Sequence, residues 1–194
     1  MAIEPLCSHV RLIVPLAVLA AVVFVSPAQT ETNRLRAATA DRAVVEACLK
    51  LVEENAKEVA QKPVEDEAPG AAGRLAAAAK EAATQAESCI GAVTIPCQQQ
   101  PGGSSTAGMI ACNTREWAVW DERLNRTYAT LLKDADRKLA AALRQAQRTW
   151  LQWPEKKCTL PEIENEGGSI VGPLYTGCML DATARQALWL GHRE

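Results

Sequence analysis

Cysteine and histidine are the side chains in this sequence that could do redox chemistry or bind a metal. The 194-residue chain has seven cysteines and two histidines, His9 and His192. No pair of cysteines has the C-x-x-C spacing that is common in zinc sites. The scarcity of histidine also argues against serine and cysteine catalytic triads. The pattern therefore predicts no metal and no cofactor, and it points to disulfide formation as the chemistry of the cysteines.

Residues 1–28 have the features of a secretory signal in the expected order. Arg11 precedes an apolar stretch, Leu12 to Val25, and Ser26-Pro27-Ala28 supplies small residues before a cleavage site. The stretch is shorter than the roughly 20 residues of a spanning helix, so a retained membrane anchor is the less favoured alternative. We expect cleavage after residue 28 and a periplasmic or secreted protein without a membrane segment.

The expected cleavage leaves an even number of cysteines. It removes Cys7, and the six that remain are Cys48, Cys89, Cys97, Cys112, Cys158 and Cys178. An even set of cysteines in an exported chain is typical of a disulfide framework, because oxidising compartments form and keep these bonds.

Acidic side chains are the remaining candidates for catalysis. Asp121, Glu122, Glu162 or Glu164 could supply a pair of carboxylates for general acid–base work. The pattern places all four on solvent-facing surfaces, and no nucleophile or phosphate-binding motif accompanies them. The net charge of −2 also argues against a protein that coats nucleic acid. We therefore expect a binding protein that is not an enzyme and has no nucleic-acid partner.

Helical periodicity defines the elements that must position these residues. Five amphipathic segments are predicted as helices, at about residues 31–61, 74–90, 107–133, 134–153 and 170–190. Stretches rich in Pro, Gly or acids, at 62–73, 91–106 and 159–169, are predicted as connections. Pro154 predicts the end of the fourth helix or a bend in it. The predicted fold is all-α, a small disulfide-stapled helical bundle with an N-terminal Ala-rich helical hairpin.

The aromatic residues indicate where the core lies. All five tryptophans and both tyrosines follow Cys112, which favours a core in the C-terminal half. On the third helix one face is predicted to carry Trp117, Trp120, Leu124, Tyr128 and Leu131. On the fourth helix a buried face is predicted by the spacing of Leu139, Leu143, Ala146, Trp150 and Trp153. A ligand groove is the alternative interpretation of the aromatic stripe, and core packing is favoured.

Two motifs in the C-terminal half carry a family resemblance. The first is residues 112–128, CNTREWAVWDERLNRTY, and the second is residues 143–150, LRQAQRTW. Cys158, the run at residues 167–170 (GGSI) and Cys178 follow in the same order. Over about residues 107–190 the chain resembles the LprI N-terminal-domain family of exported helical proteins. On this basis we divide the mature chain into a hairpin-and-loop segment, 29–106, and an LprI-like helical domain, 107–194.

The motif residues are expected to meet one another. Asp121, Asn125 and Tyr128 are spaced to share one face of the third helix. Side chains from the facing helix could join them in a hydrogen-bonded network, a structural role that is favoured over a binding patch. The residues assigned to this structural motif are Asp121, Leu124, Asn125, Tyr128, Gln147, Arg148 and Trp150.

Six cysteines can pair in fifteen ways. We favour Cys48–Cys89 across the first hairpin, Cys97–Cys112 around the Pro/Gly loop, and Cys158–Cys178 between the acidic loop and the last helix.

The resemblance implies a protein that inhibits lysozyme-type muramidases, with a protein partner such as a c-type lysozyme. The segment between Cys158 and Cys178 is the candidate contact surface because it combines acids with a glycine-rich turn. The candidate binding residues are Glu162, Glu164, Glu166, Gly168, Ser169 and Tyr175. The alternative is a general cell-envelope interaction or scaffold module without activity on lysozyme.

Overall fold

A computed structural model of the chain describes residues 37–61 and 71–193. In those ranges the protein is all-α, as predicted, with seven helices and no strand. The predicted signal, residues 1–28, and most of the predicted connector at 62–73 lie outside the described residues.

The seven helices include all five that the periodicity predicts. They are α1 (Thr39–Gln61), α2 (Ala71–Glu87), α3 (Thr94–Gln98), α4 (Thr106–Asp134), α5 (Arg137–Cys158), α6 (Leu160–Glu164) and α7 (Val171–Gly191). The short helices α3 and α6 lie in stretches predicted as loops, so that prediction is wrong there. Each has a proline in its first turn, where a backbone N–H has no helical partner to lose, and each is too short to show a period.

Polar side chains cap the N-termini of α4 and α5. The Ser105 hydroxyl accepts a hydrogen bond from the Gly108 N–H, and the Asp136 carboxylate accepts one from the Leu139 N–H. The first turn of α4 lies so close to the preceding loop that a Cβ on Gly108 would come within 2.1 Å of the Gly102 carbonyl oxygen. Only glycine fits at this position.

The core forms where α4 packs against α7. Trp120 of α4 is fully buried, and the small side chains of Ala184 and Ala187 on α7 let the two helices approach closely. The predicted aromatic face of α4 is confirmed, since Trp117 and Tyr128 also pack against this cluster. Val45 of α1 belongs to the same cluster, so the core also includes the N-terminal hairpin.

The buried face of α5 differs from the predicted one. Leu143 is buried and Trp150 is half-buried, but Leu139 and Trp153 are 52% and 56% exposed, and Ala146 is also exposed. The residues that α5 does bury are Ala140, Leu143, Gln147, Pro154 and Cys158. The helix packs along a narrow stripe, so a small rotation about its axis moves several apolar side chains into solvent.

Pro154 does not end α5, and its side chain is buried. The helix continues to Cys158, and the Pro154 ring is among the most completely buried side chains. A proline inside a helix costs about 3 kcal/mol through the lost hydrogen bond and a steric clash. Burial of its apolar ring offsets part of that cost, an effect of tertiary packing that the local sequence does not reveal.

Ion pairs connect α1 to α4. The Arg115 guanidinium donates to both oxygens of the buried Asp41 carboxylate, at 3.0 and 2.6 Å. Arg42 donates to Glu122 at 2.6 Å, and Glu46 accepts from Arg123 and Arg126. Bidentate arginine–carboxylate contacts are directional, so they orient α1 on α4 more effectively than scattered surface charges do.

The Arg42–Glu122 pair makes stability depend on pH. The hydrogen bond from Arg42, aided by the Ala37 N–H, lowers the pKa of Glu122 in the folded state. A lowered folded pKa stabilises the protein above the unfolded pKa of about 4.3, and this contribution is lost as the pH falls through the folded value. We expect Glu122→Gln to be less stable than the unsubstituted protein at pH 7 in urea unfolding, and we expect this difference to shrink as the pH falls below about 4.3. A stability difference that persists unchanged at pH 3 would contradict this account, and Glu54→Gln is the control.

Candidate functional site

A disulfide closes the segment that carries the predicted binding residues. Cys158 at the end of α5 and Cys178 in α7 are joined, with their Cα atoms 5.5 Å apart. Between α5 and α7 lie α6 and a turn; we call residues 159–170 the acidic tip. The covalent bond ties the end of α5 to α7 and so closes the loop that contains the tip, which restricts the conformation of the tip before any partner binds.

The acidic tip presents acids and apolar side chains to solvent together. Glu162, Glu164 and Glu166 are all exposed. Between them Ile163 is 78% exposed, and the neighbouring Leu160 is 51% exposed. An isolated exposed apolar residue is ordinary, but a cluster of them beside like charges is typical of a protein-contact surface.

The turn of the tip has an unusual backbone. Glu166 has a φ of 49° and Gly167 a φ of 72°, so two consecutive residues lie in the left-handed region. The Gly167 N–H donates to the Glu162 carbonyl at 3.0 Å, which closes the turn after α6. The left-handed conformation is unfavourable for glutamate by on the order of 1 kcal/mol, whereas for glycine its free energy is close to that of the ordinary conformations. These two left-handed residues end the helical path of the backbone after α6.

The remaining predicted binding residues differ in their surroundings. Gly168 and Ser169 are exposed in the tip, whereas Tyr175 is half-buried in α7. Burial, and then the negative charge of Glu155, raises the pKa of the Tyr175 phenol. Tyr175 is therefore a neutral hydroxyl at physiological pH. The role of these residues in binding stays a prediction.

The family motif residues line one cavity. Asp121, Asn125 and Tyr128 of α4 face Gln147 and Trp150 of α5 around a space of about 310 Å³. Asn125 donates to the Asp121 carboxylate at 3.0 Å within α4. Six of the seven predicted motif residues therefore line one space, and Arg148 does not.

The hydrogen bonds of α5 differ from the expected network. Arg148 is exposed and donates to Gln145 on its own helix at 2.6 Å. The Gln147 side-chain oxygen accepts from Gln186 of α7 at 3.1 Å. Because α5 packs mainly on α7, the partner of the Gln147 amide is a residue of α7.

Glu116 is the most consequential residue that sequence reasoning missed. Its carboxylate is fully buried and accepts from the N–H groups of Gly91, Val93 and Thr94 at 2.6, 3.0 and 2.7 Å. The Trp120 indole N–H donates to it as well, at 3.0 Å. Four donors fill the lone-pair positions of the two oxygens. The available signal was the spacing of four residues before Trp120, which puts Glu116 on the buried face of α4.

Asn113, the second residue of the first motif, has a comparable role. Its buried amide donates to the Pro173 carbonyl at 3.0 Å and to the Thr176 hydroxyl at 3.1 Å, and it accepts from Gln98. One side chain thus connects α4 to α7 and to the end of α3. Asn113 and Glu116 are thus two polar residues of the first motif whose hydrogen bonds stabilise the fold.

The three disulfides have the favoured pairing. Cys48 is joined to Cys89, Cys97 to Cys112, and Cys158 to Cys178. The first connects α1 to the turn after α2, and the second connects α3 to α4.

Fold and site together define a small, all-α, disulfide-stabilised protein with an exposed acidic tip. The family model described as lysozyme inhibitor LprI matches residues 97–190, so the resemblance read from the motifs is confirmed over that segment. The match begins at Cys97, earlier than the motifs indicated, and so includes the Cys97–Cys112 disulfide.

The comparisons add one relative. An uncharacterized protein of Rhizobium meliloti (strain 1021) is 30% identical over 88 residues, which cover 39% of this chain and 63% of the relative. The chain thus spans about 63% of the length of the curated relative it matches. No solved structure matches the chain. None of the helices within residues 37–61 and 71–193 has the length and apolar composition needed to cross a membrane.

Proposed function

We propose that this protein is exported and inhibits a lysozyme-type muramidase by inserting the acidic tip into the enzyme's cleft. The observation that carries the proposal is the match of residues 97–190 to lysozyme inhibitor LprI. The six disulfide-bonded cysteines favour export, because such bonds persist in oxidising compartments.

Charge and shape of the tip support this mode of contact. Lysozymes of the c-type are basic proteins, and their cleft works through two carboxylates. Three exposed glutamates on the tip would steer it toward a basic surface. Exposed Leu160 and Ile163 would then be buried on docking, and their removal from water favours the complex.

The first test changes the charge of the tip. Replacing Glu162, Glu164 and Glu166 together by glutamine should weaken inhibition of a c-type lysozyme about tenfold at low salt, because three exposed charge pairs contribute roughly 0.5 kcal/mol each. The effect should shrink at high salt, where exposed charges are screened. The measurement is the lysis of bacterial cell walls, followed by turbidity, over a titration of the oxidised protein.

A matched control separates the tip from net charge. Glu54, Glu58 and Glu81 lie on α1 and α2 and are also exposed, so their replacement by glutamine changes the net charge equally. The control should inhibit like the unsubstituted protein. Equal loss in both variants would contradict a role of the tip, and no inhibition of any lysozyme by the unsubstituted protein would favour a cell-envelope scaffold instead.

A further inference from the structure

Three tryptophans line a groove that the proposed function does not use. Trp150 and Trp153 of α5 face Trp189 of α7 across a space of about 260 Å³. Trp153 is 56% exposed and Trp189 is 42% exposed, although indole is the side chain that gains most from burial. Large exposed aromatic side chains that converge on one groove indicate a binding surface.

The groove lies next to the cavity of the family motif. Trp150 lines both spaces, and Trp117 and Tyr128 line the cavity. The hydrogen bond between Gln147 and Gln186 lies between a residue of the cavity and a residue of the groove. We call the combined surface the aromatic groove; its rings are Trp117, Tyr128, Trp150, Trp153 and Trp189.

The polar groups of the aromatic groove are of both signs. Around the outer tryptophans stand Asp181, Arg185 and Lys157, and Arg185 donates to Asp181 at 2.9 Å. The inner space has the carboxylates of Asp121 and Glu155. A cationic ligand would meet Lys157 and Arg185, and an anionic ligand would meet Asp121 and Glu155. The lining therefore suits an uncharged ligand with many hydroxyl groups.

Cationic side chains lie over the rings of the two outer tryptophans. The Lys157 ammonium lies 4.9 Å from the centre of the Trp153 ring, and the Arg193 guanidinium lies 3.5 Å from that of Trp189. These cations sit where a flat, C–H-bearing face of a ligand would stack on the electron-rich indole. Both side chains are long and flexible, so a ligand can displace them.

We propose that the aromatic groove binds an oligosaccharide of uncharged pyranose units. A pyranose ring presents C–H groups on its faces, which pack on indole, and hydroxyl groups around its edge. The edge hydroxyls would bond to the amide, carboxylate and guanidinium groups between the tryptophans. A row of rings separated by such groups matches a chain of linked sugars. This inference does not depend on lysozyme inhibition.

Titration of the oxidised full chain with N-acetylglucosamine oligomers and with cello-oligosaccharides tests the proposal. Tryptophan fluorescence and calorimetry should show saturable binding below about 10 mM, with affinity that rises with the number of sugar units. Trp153→Ala and Trp189→Ala should each weaken binding about tenfold. Both rings are largely exposed, so the variants should keep the melting temperature of the unsubstituted protein.

Leu51→Ala is the matched control, because Leu51 is 59% exposed on α1, away from the groove lining. It should bind the oligosaccharides like the unsubstituted protein. Absence of binding to both oligosaccharide series, or unchanged affinity in both tryptophan variants, overturns the proposal. So does loss of lysozyme inhibition in the tryptophan variants without any saccharide binding, which would make the groove a protein-docking surface.

Discussion

Replacing Glu116 by leucine should destabilise the fold by about 4 kcal/mol, a large effect for one side chain. The substitution leaves three backbone N–H groups and the Trp120 indole N–H without their acceptor in a buried site. Each buried donor that loses its partner costs about 1–3 kcal/mol, and partial access of water reduces the sum. The measurement is the free energy of unfolding in urea with the disulfides intact.

Glutamine at the same position refines the test. Glu116→Gln keeps one carbonyl oxygen but turns an NH₂ group toward the donors, so we expect about half of the leucine effect. Glu54→Gln is the control, because Glu54 is an exposed glutamate whose ion pair is with Lys50 of the same helix, α1. If Glu116→Leu were as stable as the control, the carboxylate would not hold the turn at residues 91–94.

The conformation of the turn at residues 91–94 depends on the Glu116 carboxylate. Gly91 has a φ of 104°, a conformation that side-chain-bearing residues rarely adopt, and its N–H points at the carboxylate. The same carboxylate accepts from the first residue of α3, Thr94. Loss of Glu116 should therefore also loosen α3 and the adjoining Cys97–Cys112 loop. Hydrogen exchange of the amides of residues 91–98 would show this as faster exchange.

Removal of the Cys48–Cys89 disulfide should give the second large effect. The two cysteines are 41 residues apart, and closing a loop of that length stabilises the folded state by about 4 kcal/mol in the chain-entropy model. The Cys48→Ala/Cys89→Ala protein should lose about this much in urea unfolding. Cys89 is fully buried in the core cluster, so part of the loss reflects poorer packing.

The Cys158–Cys178 bond offers a comparison. Its cysteines are 20 residues apart, and for a loop of that length the chain-entropy model gives a stabilisation of the folded state of about 3 kcal/mol. Loss of this bond should also weaken the proposed inhibition of lysozyme, because the loop that contains the acidic tip is no longer closed. The Cys48–Cys89 variant should inhibit normally when folded. The reverse result, with inhibition lost only in the Cys48–Cys89 variant, would place the contact surface on the hairpin.

Prediction from the sequence succeeded where residues a few positions apart decide the outcome. The long helices follow from periodicity, and the aromatic face of α4 follows from Trp117, Trp120, Leu124 and Tyr128. The favoured choice among the fifteen cysteine pairings is also confirmed, although the bonded cysteines are 15 to 41 residues apart, because each bond joins segments that are neighbours in the helix order.

Prediction failed where a second element decides the outcome. Trp153 lies on the predicted buried face of α5 but is exposed, because α7 meets that helix along a different stripe. Pro154 stays inside the helix because tertiary contacts bury its ring. Single-helix patterns describe which residues share a face, and they leave open which face a neighbour covers.

By itself the sequence determined an all-α chain and its five long helices, because backbone periodicity is a local property, and it favoured one pairing of the six cysteines that follow the predicted signal. Only the tertiary structure decided which side chains are buried on α5, that the motif residues surround a cavity, and that Glu116 holds the turn before α3. These outcomes arise where segments that are far apart in the chain pack together, because the free energy of removing their polar and apolar groups from water decides which side chains are buried.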